Sequence, residues 1–438
     1  MDNKRKMYVI AFILTIVFVL ITLFIINNVY KITSIGSLKQ ALLRWYRKAN
    51  ERNFSKVRKV LKISGLCVLI GGYSFCCYNF SNRIAFSRFI SGYYEWRSSN
   101  GQAYLYVEAN DHYSLGYLTG NALASQIFGL KILLNLNSLI SGKNYFDMLN
   151  LGKQYLPYIP SEYKEELLGL SEGATAGSGF HITFDDVLAQ NLFLEILYGQ
   201  KFMDAGGGCT CFGIVNSDNT TTIGQNIDLY QIMGWYSSFV LHKLANEPLI
   251  FSYRLGAGMI PSLKSENNLT VVINLVELSQ KAPICTPLFV LLREALTNTN
   301  NVLDFYNVIN NTNMSPYGIN YIISDSKEIL AAQFTRYNQT WSMPTNIVHS
   351  NTFLDPYWQN ELKDPNYSKE RQIYAESLLS SAFTDSKLTL SELHVILSDF
   401  PIICRDEGGL LSSETIAFMT SSTFGIGNTN TNIGYIPI

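Results

Sequence analysis

Residues 205–230 read AGGGCTCFGIVNSDNTTTIGQNIDLY and contain the most unusual local feature of the chain. Three glycines end at Gly208, and two stretches rich in β-branched residues follow, separated by the turn-forming Asn-Ser-Asp-Asn of 216–219. This pattern predicts two strands joined as a hairpin, which would bring Cys209 and Asp228 to the same end of a sheet. The simpler alternative is a flexible glycine turn that leads into an edge strand.

The Gly208–Cys209 bond also suggests chemistry. A thiol is the best nucleophile among the ordinary side chains near neutral pH, and it requires a base that removes its proton. We interpret each histidine as a surface or packed residue, because none has a common spacing to the cysteine: they are His112, His181, His242, His349 and His394. A different base becomes available if Cys209 is a chain terminus, because an α-amino group has an ordinary pKa of about 8. Glycine suits the preceding position, since it has no Cβ to crowd an attack on its carbonyl.

The stretch GCTCFGIVNSDNTTTIGQNIDLY at 208–230 resembles the nucleophile strand and hairpin of the acyl-coenzyme A:6-aminopenicillanate acyltransferase family. That family begins with Gly-Cys-Thr and turns into Gly-Gln-Asn-x-Asp, and its relatives include bile-salt hydrolases, acid ceramidase-type amidases and an insect β-alanyl-dopamine hydrolase. Further motifs keep the family's order over residues 105–438: HYSLGYLTG at 112–120, EELLGLSEG at 165–173, DVLAQN at 186–191, VVINL at 271–275, TPLFVLLREA at 286–295, NYIISD at 320–325, HSNTFLDP at 349–356 and ICR at 403–405. The resemblance implies a cysteine N-terminal nucleophile (Ntn) hydrolase with a four-layer αββα fold, cleaved between Gly208 and Cys209.

The same resemblance implies roles for individual residues. Cys209 would attack first the Gly208 carbonyl of the precursor and later an acyl donor, and Asp228 would hold and orient the freed α-amino group. Asn351 and Asn274 would donate side-chain N–H groups to the developing oxyanion, each worth about 3 kcal/mol. The alternatives are a turn-capping role for the aspartate and backbone hydrogen bonding for the two asparagines.

A cationic residue is expected to stabilise the thiolate or to anchor an acidic group. Arg405 is the preferred candidate, and its competitor Arg371 also fits the surface of a helix. The chain departs from the hydrolase relatives at Gln225, where they carry Arg, and at Asp406, where they often carry His. Gln225 resembles the acyltransferase branch, so an electrostatic stabiliser of the thiolate is not expected there and ceramidase-type substrates are less favoured.

Apolar periodicity predicts a mostly helical segment at 81–207, followed by short strands interrupted by helix pairs. The predicted helices lie at 115–127, 130–139, 163–174, 185–198, 287–297, 301–309, 368–381 and 391–398. The predicted strands lie at 210–215, 220–225, 238–241, 249–253, 269–275, 320–324 and 331–335. Strands mixed with helix pairs indicate an α+β layered fold.

The composition excludes a disordered or fibrous chain, because 47% of the 438 residues are apolar and only 15% are charged. The net charge of -1 hides an asymmetry: residues 1–62 hold 13 of the 33 basic side chains and two of the 34 acidic ones, so they carry +11 and the remainder -12. Apolar stretches at 8–26 and 63–80 flank the basic loop 31–62, which predicts a membrane anchor at 1–80 and no nucleic acid partner. A cleaved signal peptide is the alternative for the first stretch, and a buried helix or strand for the second.

The body, residues 81–438, is then expected to face a lumen or the cell exterior. Six sequons lie in it, at Asn219, Asn268, Asn310, Asn313, Asn338 and Asn366. Its four cysteines fit neither a disulfide framework nor a zinc spacing, and no metal or cofactor is expected: Cys209, Cys211, Cys285 and Cys404. The expected partners are a small N-acyl substrate or acyl donor, the membrane, and the second chain of the cleaved precursor.

Two hypotheses about function follow. The first is an autocatalytically matured amide hydrolase or acyltransferase, cut into chains 81–208 and 209–438 that form one domain. The second is a membrane-tethered binding or structural protein that keeps the fold and is not cleaved. The acyl group and the amine depend on the shape of the pocket, which the fold does not determine.

Overall fold

A computed structural model describes residues 89–200, 208–264, 267–311, 315–364, 366, 368–383, 387–404, 411–419, 423–428 and 434–437. All of them belong to one compact unit, Arg88–Ile438. The membrane stretches predicted at 8–26 and 63–80 lie outside the described residues. Within the described part of the chain, every helix is too short or too polar to cross a bilayer.

The described elements mix helices and strands throughout. The helices are α1 His112–Ala122, α2 Ala124–Ile140, α3 Tyr145–Lys153, α4 Ser161–Ser178, α5 Phe184–Asn191, α6 Gln231–Gly234, α7 Leu288–Asn298, α8 Val302–Asn310, α9 Lys369–Ala382 and α10 Leu390–Leu397. The strands are β1 Gly92–Ser99, β2 Gln102–Ala109, β3 Gly208–Val215, β4 Thr221–Tyr230, β5 Ser237–Leu244, β6 Leu249–Leu255, β7 Gly258–Lys264, β8 Leu269–Val276, β9 Gly318–Ser324, β10 Ile329–Phe334, β11 Gln339–Ser342, β12 Asn346–His349, β13 Leu411–Met419, β14 Thr423–Asn428 and β15 Gly434–Pro437. The α+β class predicted from the sequence is confirmed.

The strands form two large sheets. One has nine strands in the order β1-β2-β5-β6-β7-β8-β9-β10-β11, and the other has six in the order β12-β3-β4-β13-β14-β15. The hairpin predicted within 205–230 is confirmed, since β3 and β4 pair antiparallel along their length. Because β3 lies between β12 and β4, it is an internal strand and the edge-strand alternative is wrong.

The alternation of side chains along the strands produces the layers, since neighbouring residues of a strand point to opposite faces. On β8, Val271 packs against α7 and α8, whereas Val272 belongs to the cluster shared with the other sheet. On β3, Phe212 packs against α9 and α10, whereas Cys211 belongs to that shared cluster. The order helix, sheet, sheet, helix is therefore compatible with an Ntn-type sandwich.

The glycine motif at 112–120 has a packing reason. Helices α1 and α4 approach so closely that a Cβ at Gly116 would lie 1.9 Å from the carbonyl oxygen of Glu166. On the facing helix, a Cβ at Gly173 would lie 2.0 Å from the carbonyl oxygen of Tyr117. Any larger residue at these positions would force the two helices apart.

The prediction that 81–207 is mostly helical is wrong at its start. Strands β1 and β2 lie there and extend the nine-stranded sheet. The edge strand β1 is exposed on both faces, so its sequence lacks the apolar alternation that would have indicated a strand. The helix predicted at 115–127 is interrupted at Leu123, and the helix predicted at 185–198 ends at Asn191 before a π-helical turn, Glu195–Gly199.

Candidate active site

Cys209 is the second residue of β3. Its side chain is 8% exposed and belongs to the buried cluster between the sheets. In the antiparallel register Gly208 lies opposite Asp228, and Cys209 lies opposite Ile227. The Gly208–Cys209 bond and the buried Asp228 are therefore at the same end of the six-stranded sheet.

Asn351 reaches this end of the sheet from the other side of β3. It follows β12, which pairs antiparallel with β3. The backbone N–H of Cys209 donates to Asn351 Oδ1 at 2.8 Å, and Asn351 Nδ2 donates to the carbonyl of Leu275 at 2.7 Å. These two bonds fix the orientation of the amide: its oxygen faces the backbone nitrogen of the cysteine, and its Nδ2, which the resemblance assigned to the oxyanion, is bonded to the carbonyl of Leu275 instead.

Arg371 completes the cluster from helix α9. Its Nη1 donates to Asp228 Oδ2 at 3.4 Å and its Nη2 to Asn351 Oδ1 at 2.5 Å. A third hydrogen bond, from Nη2 to the hydroxyl of Ser368 at 2.6 Å, holds the guanidinium in the first turn of the helix. The side chain is buried, so this guanidinium ties together the two groups that flank the Cys209 nitrogen.

The environment of the Cys209 thiol disfavours the thiolate. Burial and the nearby charge of Asp228 together raise the pKa of the thiol to about 12, against the opposing effect of Arg371. In the continuous chain the thiol is therefore protonated at neutral pH. Any nucleophilic reaction of Cys209 requires a base.

Asn274 faces the same layer from β8 of the other sheet. It is fully buried and its amide contacts the thiol of Cys211, a weak hydrogen-bonding group, while neither amide atom has a nitrogen or oxygen partner among the described residues. Gln225 lies beside it and is bonded at both ends, since its Nε2 donates to the carbonyl of Ile273 at 2.5 Å and its Oε1 accepts from the N–H of Ile273 at 3.3 Å. A buried amide without such partners is unusual, and it is a donor that a bound ligand would satisfy.

Two of the described histidines, His349 and His112, are poorly suited to act as the base that Cys209 requires. His349 lies opposite Cys211 in the sheet register, but burial lowers the pKa of its ring to about 3, and both ring nitrogens lack partners in the described part of the chain. His112 is engaged elsewhere, between Glu166 and Glu247. The backbone nitrogen of Cys209 is instead hydrogen-bonded to the amide of Asn351, and Arg371 links that amide to the carboxylate of Asp228.

The structure brings together Cys209, Asp228 and Asn351, with Asn274 in the facing sheet. Arg405 lies outside the described residues, so its role stays a prediction. Arg371, the competitor of Arg405, is the arginine that contacts the cluster, and its burial had a sequence signal. It falls on the buried stripe of α9 with Ala375 and Leu379, at the i, i+4 and i+8 spacing of one helix face. An arginine on an apolar stripe indicates a buried cation with a specific partner.

No metal centre is formed by the described side chains, since no three His, Cys, Asp or Glu residues among them group closely enough to hold an ion.

Two facing sheets covered by helices, with a cysteine at the start of an internal strand, define an α+β sandwich with a thiol site at one end. Residues 215–399 match the family model described as acyl-coenzyme A:6-aminopenicillanic acid acyl-transferase, which belongs to the Ntn-hydrolase-like superfamily. This match confirms the resemblance drawn from the sequence. It contains Asp228, Asn274, Asn351 and Arg371, and it begins after Cys209. The family indicates an acyltransferase or hydrolase.

A second comparison is more distant. The chain is similar to an uncharacterized protein of Archaeoglobus fulgidus, with 24% identity over 163 residues. The similarity covers 33% of this chain and 26% of the archaeal protein, so the chain matches about a quarter of the length of that relative.

Proposed function

We propose that the protein is a cysteine Ntn enzyme that cleaves its own chain before Cys209 and then transfers an acyl group from a small N-acyl compound through a thioester. The observation that carries this proposal is the hydrogen bond from the Cys209 backbone N–H to Asn351 Oδ1, at 2.8 Å, within the cluster of Asp228 and Arg371. The cluster binds the backbone nitrogen of the cysteine, which is the group that cleavage would convert into an α-amino base.

The chemistry of the thiol supports the same proposal. A thiol whose pKa is raised to about 12 needs a base within reach. Free α-amino groups have an ordinary pKa of about 8 and would lie on the same residue. Asn351 and Asp228 would orient this amine, and Arg371 would offset the negative charge of the aspartate.

Cleavage would begin with attack of Cys209 Sγ on the carbonyl carbon of Gly208. As that carbon becomes tetrahedral, the Cys209 nitrogen changes from an amide into a basic amine, so it accepts the thiol proton and is itself the base of this step. The bond from the carbon to this nitrogen then breaks. The product is a thioester between the two residues with a free α-amino group. Water then adds to the thioester carbonyl, releasing the Gly208 carboxylate and restoring the thiol.

Turnover would repeat this chemistry on the substrate. The α-amino group takes the proton of the Cys209 thiol, and Sγ adds to the amide carbonyl of the N-acyl compound. The side-chain N–H of Asn274 donates to the oxyanion, and the α-ammonium group returns the proton to the leaving amine. Water, or a second amine, then takes the acyl group from the thioester.

The test is intact mass and N-terminal sequencing of the purified full-length chain, followed by activity profiling against N-acyl amino acids, acylated amines and acyl thioesters. We expect a chain that begins at Cys209. Cys209→Ala should be uncut and inactive, whereas Cys285→Ala, at a buried cysteine outside the cluster, should be cut and active. An active preparation with a different N-terminus would contradict the proposal. If the chain stays uncut and neither variant alters any readout, the non-catalytic alternative is favoured.

The membrane anchor at 1–80 and a lumenal or extracellular body are part of the same proposal. The charge asymmetry of the sequence supports them, and so do three sequon asparagines exposed on the surface, Asn219, Asn338 and Asn366. Glycosidase treatment of protein made in a eukaryotic host should lower its apparent mass. An unglycosylated body that proteases reach from the cytosol would contradict this placement.

A further inference from the structure

Asn320 lies outside the cluster around Cys209, yet it contacts the loop that carries Asn351. It is a fully buried residue of β9, where it pairs in register with Asn274 of β8. Its Nδ2 donates to the carbonyl of Ser350 at 3.1 Å and to the carbonyl of Thr352 at 2.8 Å. One side-chain amide therefore binds the backbone on both sides of Asn351.

The orientation of the Asn320 amide follows from these contacts. Both carbonyls require a donor, so the nitrogen must face the loop, and Oδ1 has no partner among the described residues. The opposite side of the loop is held by Gln372, whose Oε1 accepts from the N–H of Ser350 at 2.7 Å and whose Nε2 donates to the carbonyl of Val348 at 2.9 Å. The loop is thus fixed from the nine-stranded sheet and from helix α9 together.

The position of the loop matters because Asn351 makes a hydrogen bond to the nucleophile residue. Its Oδ1 must stay 2.8 Å from the Cys209 nitrogen while also accepting from Arg371. A displacement of about 1 Å in such a contact lowers turnover by about 10²-fold. Loops alone do not hold side chains this closely, so a rigid support is required.

We propose that Asn320 is a positioning residue for the reaction, acting through the carbonyls of Ser350 and Thr352 to hold Asn351 against the nitrogen of Cys209. This inference rests on the proposed function and adds a residue of the facing sheet to it. Asn320 pairs in register with Asn274. Neighbouring residues of β8 and β9 would therefore fix both amides of the site, since Asn274 supplies one and Asn320 positions the other, that of Asn351.

The test is a double-mutant cycle on the full-length protein. We expect Asn320→Ala to lower kcat by about 10- to 100-fold with little change in KM. Asn320→Asp should be worse, because a carboxylate of the same shape would face two carbonyl oxygens. In an Asn351→Ala background, Asn320→Ala should lower kcat by less than about threefold, since the residue it positions is gone. The matched control is Asn226→Ala, because Asn226 is another fully buried asparagine that donates to two carbonyls, those of Leu397 and Ile403. This substitution should change kcat by the same factor in the wild-type and Asn351→Ala backgrounds.

Equal losses from Asn320→Ala in the wild-type and Asn351→Ala backgrounds would overturn the inference. So would a crystal structure of Asn320→Ala in which the Asn351–Cys209 contact is unchanged. The two proposals fail in different ways. Absence of cleavage and turnover in the wild-type protein would contradict the proposed function. The displacement of the Asn351 loop in Asn320→Ala can be seen in the crystal structure even if the protein has no activity.

Discussion

Two buried arginine clusters on different parts of the fold differ in the groups that face the arginines: carboxylates in one, and one carboxylate with a neutral amide in the other. The first is the candidate active site around Arg371. The second, called here the ion cluster, joins helices α1, α4 and α7 to strand β6 and the turn after β5; its members are His112, Glu166, Glu247, Arg254 and Arg293.

The ion cluster is closed by opposite charges. Arg293 lies 2.9 Å from Glu247 and 3.4 Å from Glu166, and Arg254 lies 3.7 Å from Glu166. Burial raises the pKa of Glu166, but the charge of Arg293, the hydrogen bond from His112 and the charge of Arg254 together outweigh burial and hold this pKa well below the usual range. Such a group is charged at every physiological pH, and its role is to hold elements together.

The candidate active site is left incomplete by comparison. Arg371 is shared between one carboxylate, Asp228, and one neutral amide, Asn351. Nearby Asn274 has no nitrogen or oxygen partner among the described residues, and the Cys209 thiol is protonated with its pKa at about 12. The Nε atoms of Arg254 and Arg293 in the ion cluster also lack a partner among the described residues. The candidate active site differs in having a whole buried side-chain amide, that of Asn274, without a nitrogen or oxygen partner beside its cysteines, which indicates a site arranged for a ligand. Substitutions in both clusters test this difference.

The largest effect is expected from Arg371→Met. The substitution leaves Asp228 buried without its cation and removes a donor to Asn351, so kcat/KM should fall about 10³-fold or more. Initial rates and the extent of cleavage measure it. Lys369→Met, which removes an exposed charge from the same helix, should change neither. If Arg371→Met is cleaved and turns over substrate at the wild-type rate, Arg371 has no role in the reaction.

Glu166→Gln should be the most destabilising change in the ion cluster. It leaves Arg254 and Arg293 buried with one carboxylate fewer, which costs about 3–5 kcal/mol of unfolding free energy. Urea denaturation measures this, while activity per folded molecule should be unchanged. Glu95→Gln is the control, because its exposed pair with Arg97 is worth about 0–1 kcal/mol. A stable Glu166→Gln with reduced kcat would mean that the ion cluster belongs to the catalytic machinery.

Asn274→Leu should separate function from stability. Removing a donor to the oxyanion should lower kcat about 10²-fold, whereas removing a buried amide without nitrogen or oxygen partners should leave the unfolding free energy unchanged or raise it. Asn226→Leu should show the reverse pattern, because its amide is bonded. Kinetics and denaturation of both variants decide the matter, and a strongly destabilised Asn274→Leu would indicate a structural amide.

The smallest effect concerns pH. Burial lowers the pKa of His112, but hydrogen bonds to Glu166 and Glu247 outweigh burial and raise it to about 9. The pKa of His112 in the folded protein exceeds the ordinary value of about 6.5, so protonated His112 stabilises the folded state. This stabilisation is complete below about pH 6.5 and is lost as pH rises through about 9. His112→Gln should therefore be about 1 kcal/mol less stable than wild type at pH 6 and nearly equal at pH 9.5. Denaturation at both pH values measures this, and a difference that does not depend on pH would exclude a charged His112.

Local patterns predicted a large part of the fold. The turn at 216–219 and the β-branched residues around it gave the hairpin, and apolar periodicity gave α4, α7, α8, α9 and α10 to within a few residues. The errors fall where tertiary packing decides the conformation. Strand β1 is polar and exposed, and it is a strand because it pairs with β2.

The candidate site was predictable only in part, for a similar reason. Cys209 and Asp228 lie on one hairpin, so their proximity follows from local sequence. Asn351 and Arg371 approach them across 142 and 143 residues of chain, and no spacing rule covers such distances. The roles first assigned to these residues came from a resemblance, and the orientation of the Asn351 amide could come only from its neighbours.

The α+β class, the β3–β4 hairpin and the shared position of the Gly208–Cys209 bond and Asp228 follow from local sequence, because strand pleating and turn chemistry act between close neighbours. The contact of Arg371 with this group, the burial of the Asn274 amide without a nitrogen or oxygen partner among the described residues and the bonds of Asn320 to the Asn351 loop follow from packing alone. These facts depend on how two sheets and a helix face each other. Hydrogen bonds act over about 3 Å, so a site built from distant segments exists only once those segments are packed.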